Sequence, residues 1–193
     1  MKWIVAAIVV FVVGYTLVNI YFRKPGRAAR PYEDMANRFT TAKLLEAGWA
    51  KLPVETRRPA EKMVDRDSAA ISRGAVGLGL DLEPCFAEKP KLLASIDRVE
   101  APASTARGEA YSGWFTGSVS DLQLQLGNVE LYHRGNELVL VPTIEHLPGN
   151  NLLSRWTDNN YCFSFPTQSL PPGRYQLRVV ANGPSARWSV TIR

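Results

Sequence analysis

"LPPGRYQLRVVANGPSARWSVTIR", residues 170–193, is the stretch whose reading decides the fold. Tyr175, Leu177 and Val179 alternate with Gln176 and Arg178, and Trp188, Val190 and Ile192 alternate with Ser189 and Thr191. A period of two sends successive side chains to opposite faces of a strand, so each run buries one face and wets the other. "LPPG" ahead of the first run and "NGPSA" between the two carry the proline and glycine that turns demand. The stretch predicts an antiparallel hairpin on a half-buried sheet.

The same period recurs upstream. In "AVGLGLDLE" (75–83) Val76, Leu78, Leu80 and Leu82 share one predicted face. In "DLQLQLGNVELYH" (121–133) Leu122, Leu124 and Leu126 do so, and "GN" at 127–128 and 135–136 read as turns. "ELVLVPTIEHL" (137–147) reads as a strand whose Pro142 belongs at an edge or bulge. "NNYCFSF" (159–165) alternates Tyr161, Phe163 and Phe165 with Cys162 and Ser164. Short strands at about ten-residue spacing with no helix between them predict a mainly β fold, an antiparallel β-sandwich over residues 75–193.

"LPPGRYQLRV", the hairpin and "RWSVTI" resemble the E–F corner and F–G hairpin of immunoglobulin-like sandwiches. The resemblance implies that Tyr175 is a corner tyrosine whose hydroxyl bonds back to the preceding loop. The paired cysteines around a core tryptophan that mark antibody domains are absent. An anchor followed by a sandwich ending in Pro-Gly-x-Tyr-x-Leu is also similar to small accessory proteins of bacterial cytochrome oxidases and their copper supply.

The other end of the chain is "IVAAIVVFVVGYTLVNIYF", residues 4–22, without a charge. At 1.5 Å per residue such a run approaches the hydrocarbon thickness of about 30 Å. With Trp3 at one end and Tyr21 and Phe22 at the other, it reads as an uncleaved transmembrane signal-anchor over residues 1–24. Arg23, Lys24, Arg27 and Arg30 follow directly and suit anionic headgroups, making the lipid bilayer a predicted partner. The chain's formal net charge of +5 is mild and no second basic patch occurs, so nucleic acid is not expected. The basic cluster favours a cytoplasmic sandwich, whereas a short N-terminal tail with Lys2 favours export. Export to the periplasmic or extracytoplasmic side is the reading taken, and the opposite orientation stays open.

Residues 25–74 form a predicted connector. Pro31, with Glu33 and Asp34 in the first turn and Gly48 after the last, predicts a helix from about Tyr32 to Ala47. Met35, Phe39, Ala42 and Leu45 fall on one stripe, with Leu44 at its edge. That stripe either packs on the sandwich, lies at headgroup level, or docks another membrane or envelope protein through Phe39 and Leu45. "KLPVETRRPAEK" reads as extended chain, and a short helix is possible around Ala60 to Ser72.

Groups for chemistry are sparse. His133 and His146 fit no metal-ligand spacing, and no nucleophile elbow or nucleotide loop occurs, so no catalytic residue, metal or cofactor is expected. A metal site would need His133, His146, Met63 and a cysteine to converge. Cys85 and Cys162 could pair, or stand apart as buried thiols. Binding is the more credible activity. Trp114 and Phe115 in "YSGWFTGS" read as aromatics presented on a loop, and Arg155 and Trp156 stand in the long polar segment 147–161. These residues point to an accessory or scaffolding protein, or alternatively to a glycan-binding module or a metal-supply factor for an oxidase.

Overall fold

The computed structural model describes residues 2–22, 31–57, 69–147, 153–154 and 158–193. The chain divides into two compact units, Met1–Met35 and Ala36–Arg193.

The first unit is built on helix α1, Lys2–Phe22. Its side chains are described from Lys2 to Val18, and all of them are exposed. Thr16 returns its hydroxyl to the Val12 carbonyl at 2.7 Å, which satisfies a donor that an apolar setting would penalise. Among the described residues no helix is long and apolar enough to cross a membrane. The described side chains of α1 cover about 26 Å of helix rise.

The second unit is mainly β, with two sheets. Its strands are β1 Ala50–Leu52, β2 Glu55–Arg57, β3 Ser72–Val76, β4 Ser95–Glu100, β5 Ser104–Thr105, β6 Ala110–Ser118, β7 Leu124–Arg134, β8 Glu137–His146, β9 Asp158–Pro166, β10 Gly173–Val179 and β11 Pro184–Ile192. One sheet has the order β1-β7-β8-β10-β11-β3, with β5 also on β11, and the other has β2-β9-β6-β4. Sheet-forming residues thus begin at Ala50, and the chain passes from the first sheet to the second across Pro53 and Val54. Of the expected short helix over 60–72, residues 60–68 lie outside the described residues, 69–71 form no helix, and Ser72 is strand.

The closing hairpin forms as its alternation implies, with Tyr175 opposite Val190 and Leu177 opposite Trp188. Tyr175, Leu177, Val179, Trp188, Val190 and Ile192 face the core between the sheets, where Phe115, Tyr161, Phe163 and Phe165 meet them. Tyr175 donates its hydroxyl to the Pro171 carbonyl at 2.8 Å. Trp188 donates to the Tyr111 hydroxyl at 2.9 Å, and Tyr111 donates to the Pro102 carbonyl at 2.8 Å. Two buried polar aromatics are satisfied by one chain of bonds.

Pairing is not wholly antiparallel, however. β10 runs parallel to β8, with Leu177 opposite Leu138, and β5 runs parallel to β11. The chain leaves β8, crosses to the other sheet as β9, and returns beside β8 in β8's own direction, which gives a parallel pair.

Two predicted periodicities fail locally. "AVGLGLDLE" is not one strand: β3 ends at Val76, and Gly77 and Gly79 take φ of 73° and 90°. Positive φ is cheap only for glycine, so the chain turns there. Leu78 and Leu82 are buried while Leu80 is 96% exposed. "GN" at 127–128 lies inside β7, where the register shifts between Leu126 and Val129. The Thr143 hydroxyl accepts from the Asn128 N–H at 3.3 Å and donates to the Asn128 carbonyl at 2.8 Å, which patches the bulge. Pro142 stands opposite Val129 beside this bulge. "GN" at 135–136 is the true turn between β7 and β8, with Gly135 at φ 57°.

Gly113 and Gly117 serve packing. A Cβ on Gly113 would stand 2.6 Å from Phe163 Cζ, and one on Gly117 would stand 2.6 Å from Leu93 Cδ1. Gly113→Ala should therefore lower stability by about 1–3 kcal/mol through overpacking. Chemical denaturation followed by tryptophan fluorescence measures this, and an unchanged midpoint would show that Phe163 moves aside freely.

Candidate functional site

Around β8 the first sheet is buried on both faces. Tyr132, Val139, Val141 and Val180 point away from the inter-sheet core, and a second cluster covers them. The cover comes from helix α2, Pro31–Glu46, with Trp49, and from the segment 78–92 with Leu78, Leu82, Cys85 and Leu92.

The end of α2 is set by local chemistry. Gly48 takes φ 78°, its N–H bonds to the Leu45 carbonyl at 3.1 Å, and the Trp49 N–H bonds to the Leu44 carbonyl at 2.8 Å. This is a Schellman ending, and its usual apolar contact is supplied by Leu44 and Trp49 in the buried cluster. Gly48 is the C′ residue that the sequence indicates. Thr40 ties α2 to the second covering segment by accepting from the Ala87 N–H at 3.2 Å.

Helix α2 faces the sheet with the Leu44 edge of the predicted stripe and not with its centre. Leu44 is buried, with Thr40 and Ala47 half-buried, while Met35, Phe39 and Leu45 are 71%, 48% and 68% exposed. Each helical residue turns about 100°, so Leu45 lies a full step round from Leu44. Leu44 points inward between half-buried Thr40 and Ala47, and Met35, Phe39 and Leu45 point outward. Of the expected stripe, Leu44 at its edge packs on the sandwich, whereas Met35, Phe39, Ala42 and Leu45 stay accessible.

Around the covering turn, charges brace the backbone. Arg134 pairs with Asp81 and lies 4.3 Å from the Trp49 ring centroid. Arg178 donates to the Leu78 carbonyl at 3.1 Å and pairs with Glu137 at 3.5 Å. The Trp49 indole N–H finds no acceptor among the described residues, so the Arg134 guanidinium over its ring is its main polar contact. Neither sequence position signalled this contact, because its partners lie 85 residues apart.

Trp114 and Phe115 are not on a loop. Both lie in β6, where Phe115 is wholly buried between the sheets and Trp114 is 7% exposed under the Arg98 guanidinium, 5.4 Å from its ring. Strand geometry with glycines that receive Phe163 and Leu93 explains the misreading: the glycines make room for neighbours and not for a loop. Arg155, Trp156, Arg23, Lys24, Arg27, Arg30 and Met63 lie outside the described residues.

His133 stands opposite Leu138, and His146 lies eight residues further along β8, about 27 Å away. The two histidines cannot share an ion. Among the described residues no three His, Cys, Asp or Glu side chains gather to hold a metal. Beside β3 and β4 runs a groove of about 260 Å³ lined by Ile71, Arg73, Ile96, Arg98 and Ala186. It is smaller than ordinary ligand pockets, and Arg73 already bonds across it to the Ile96 carbonyl.

Cys85 and Cys162 are both free. Cys85 belongs to the cluster on the outer face of the first sheet. Cys162 alternates with core-facing Tyr161 and Phe163, so it points outward from the second sheet. Sheets pack about 10 Å apart, and a disulfide needs Cβ atoms within about 4.5 Å, so of the two alternatives the structure takes two separate thiols. Burial pushes both thiols above the ordinary range; Asp81 adds to this at Cys85, and Arg57 opposes it at Cys162.

No protein family, curated protein or solved structure matches this chain.

The two thiols make a direct prediction. Native protein should be alkylated at half-buried Cys162 before buried Cys85, both more slowly than a free cysteine near neutral pH. Because the thiolate reacts and both pKa values are raised, the rates should keep rising with pH past the usual thiol range of about 8.5. Peptide mass mapping reads the order, and a mobility shift on reduction would reveal a disulfide instead.

Proposed function

We propose that this chain is a non-catalytic, membrane-anchored accessory protein: α1 holds it in a bilayer, and its sandwich meets another membrane or envelope protein. The surface of α1 carries the reading. From Lys2 to Val18 every side chain is exposed, and Lys2 alone is charged. A helix that is apolar all round needs apolar surroundings, supplied by lipid or by a protein core. Its backbone runs 21 residues, about 31 Å, against a hydrocarbon core of about 30 Å. Arg23, Lys24, Arg27 and Arg30 come next in sequence, where anionic headgroups would attract them.

An immunoglobulin-like sandwich is the finer fold assignment. It draws support from the two packed sheets and from the Tyr175 hydroxyl bonded to Pro171, as in a tyrosine corner. The glycan-binding alternative loses Trp114 as a stacking ring, and the metal-supply alternative loses its histidine pair to the register of β7 and β8.

Deleting residues 1–22 should move the chain from the membrane to the soluble fraction; retention in the membrane would refute the anchor. Tagged full-length protein purified in mild detergent should bring down a stoichiometric membrane protein. Recovery as a solitary monomer would refute the accessory role.

A further inference from the structure

We infer that the outward face of the cover layer is a second membrane contact, with Phe39 and Leu45 of α2 seated in the headgroup region of the bilayer that holds α1. The inference rests on the anchor reading above.

Three observations lead to it. Phe39 and Leu45 are exposed on a helix whose other side is fixed, by Leu44 in the buried cluster and by Thr40 on the Ala87 N–H. The pair is thus held on a rigid support and cannot fold inward to hide. The same cover layer exposes Leu80, between buried Leu78 and Leu82, on a turn held by Arg134 on Asp81 and Arg178 on the Leu78 carbonyl. Two elements of one layer therefore show large apolar side chains to the outside.

Chain length then selects the occupant. α1 ends at Phe22 and α2 begins at Pro31. The eight residues between them reach at most about 29 Å fully extended, and they include no acidic side chain. Phe39 lies about 12 Å along α2 from Pro31. An apolar pair leashed this closely to a bilayer meets lipid at high effective concentration before it meets a protein from solution. An amphipathic helix lying in the interface buries its apolar face about 5–10 Å into the headgroup boundary, a depth that Phe and Leu side chains reach. Arg38, exposed on the same helix, can extend to lipid phosphates.

The test uses the full chain in vesicles of phosphatidylcholine with phosphatidylglycerol. Single spin labels are placed at Leu45→Cys, Phe39→Cys, Val10→Cys and Gln168→Cys, each with Cys85→Ala and Cys162→Ser. Accessibility to oxygen and to a water-soluble nickel complex is read at each site. Val10 reports the anchor, and exposed Gln168 reports water. We expect the oxygen-to-nickel ratio at positions 39 and 45 to exceed that at 168 and to fall short of that at 10. Ratios at 39 and 45 equal to that at 168, with 10 in lipid, would overturn the membrane contact and leave the anchor standing. Water-like values at 10 would overturn the anchor itself. Low access to both reagents at 39 and 45 would mean a protein covers the pair, and would also overturn the inference. Hydrogen exchange of the unaltered chain keeps the test independent of these variants: amides of residues 38–46 should exchange more slowly in vesicles than after Phe39→Asp and Leu45→Asp, with the amides of β8 and β10 unchanged. Equal exchange in the two would contradict the contact.

Discussion

Leu138, Val139, Leu140 and Val141 are four consecutive residues of one strand, and none of them meets water. Most of the structure follows from that burial. Leu138 and Leu140 enter the core between the sheets, whereas Val139 and Val141 need a second cover. Each such side chain contributes about 1.5–3 kcal/mol when removed from water, so an uncovered outer face would forfeit several of them. The end of α2, Trp49 and the segment 78–92 supply the cover, and their own anchors are leucines.

The cover is expensive in backbone conformation, and the chain meets that cost with glycine. Gly48 ends α2, and Gly77 and Gly79 turn the second segment back over the sheet. Arg134 and Arg178 then tie the turn to the strands beneath, one through Asp81 and one through the Leu78 carbonyl. Because the cover is fixed from below, the side chains on its outer surface are presented rather than merely uncovered. That distinction separates Phe39, Leu45 and Leu80 from Trp114, whose ring lies on a sheet face yet is closed over by Arg98.

The readings that succeeded and those that failed differ in a consistent way. Alternation in Tyr175, Leu177 and Val179 named the correct face because a hairpin pairs neighbours in sequence. Gly48 was legible because a helix ending is settled within six residues. Leu80 was misread because period two in letters survives a turn that halves it in space. Trp114 and Phe115 were misread as loop residues because the Phe163 ring and the Leu93 side chain that Gly113 and Gly117 accommodate come from elsewhere in the chain. "LVLV" at 138–141 did carry a signal for a strand buried on both sides, since it lacks the polar alternation of a half-wet strand.

By itself the sequence determined the strands of the closing hairpin, the helix from about Tyr32 to Ala47 with its glycine stop, and an apolar N-terminal helix. These depend on periods and caps that neighbouring residues set among themselves. Only the tertiary structure decided which side of α2 faces inward, that Cys85 and Cys162 lie on opposite outer faces, and that His133 and His146 stand far apart. Periodicity reports which side chains share a face but not what covers that face. The covering groups come from segments tens of residues away, and their placement is set by packing volume rather than by local preference.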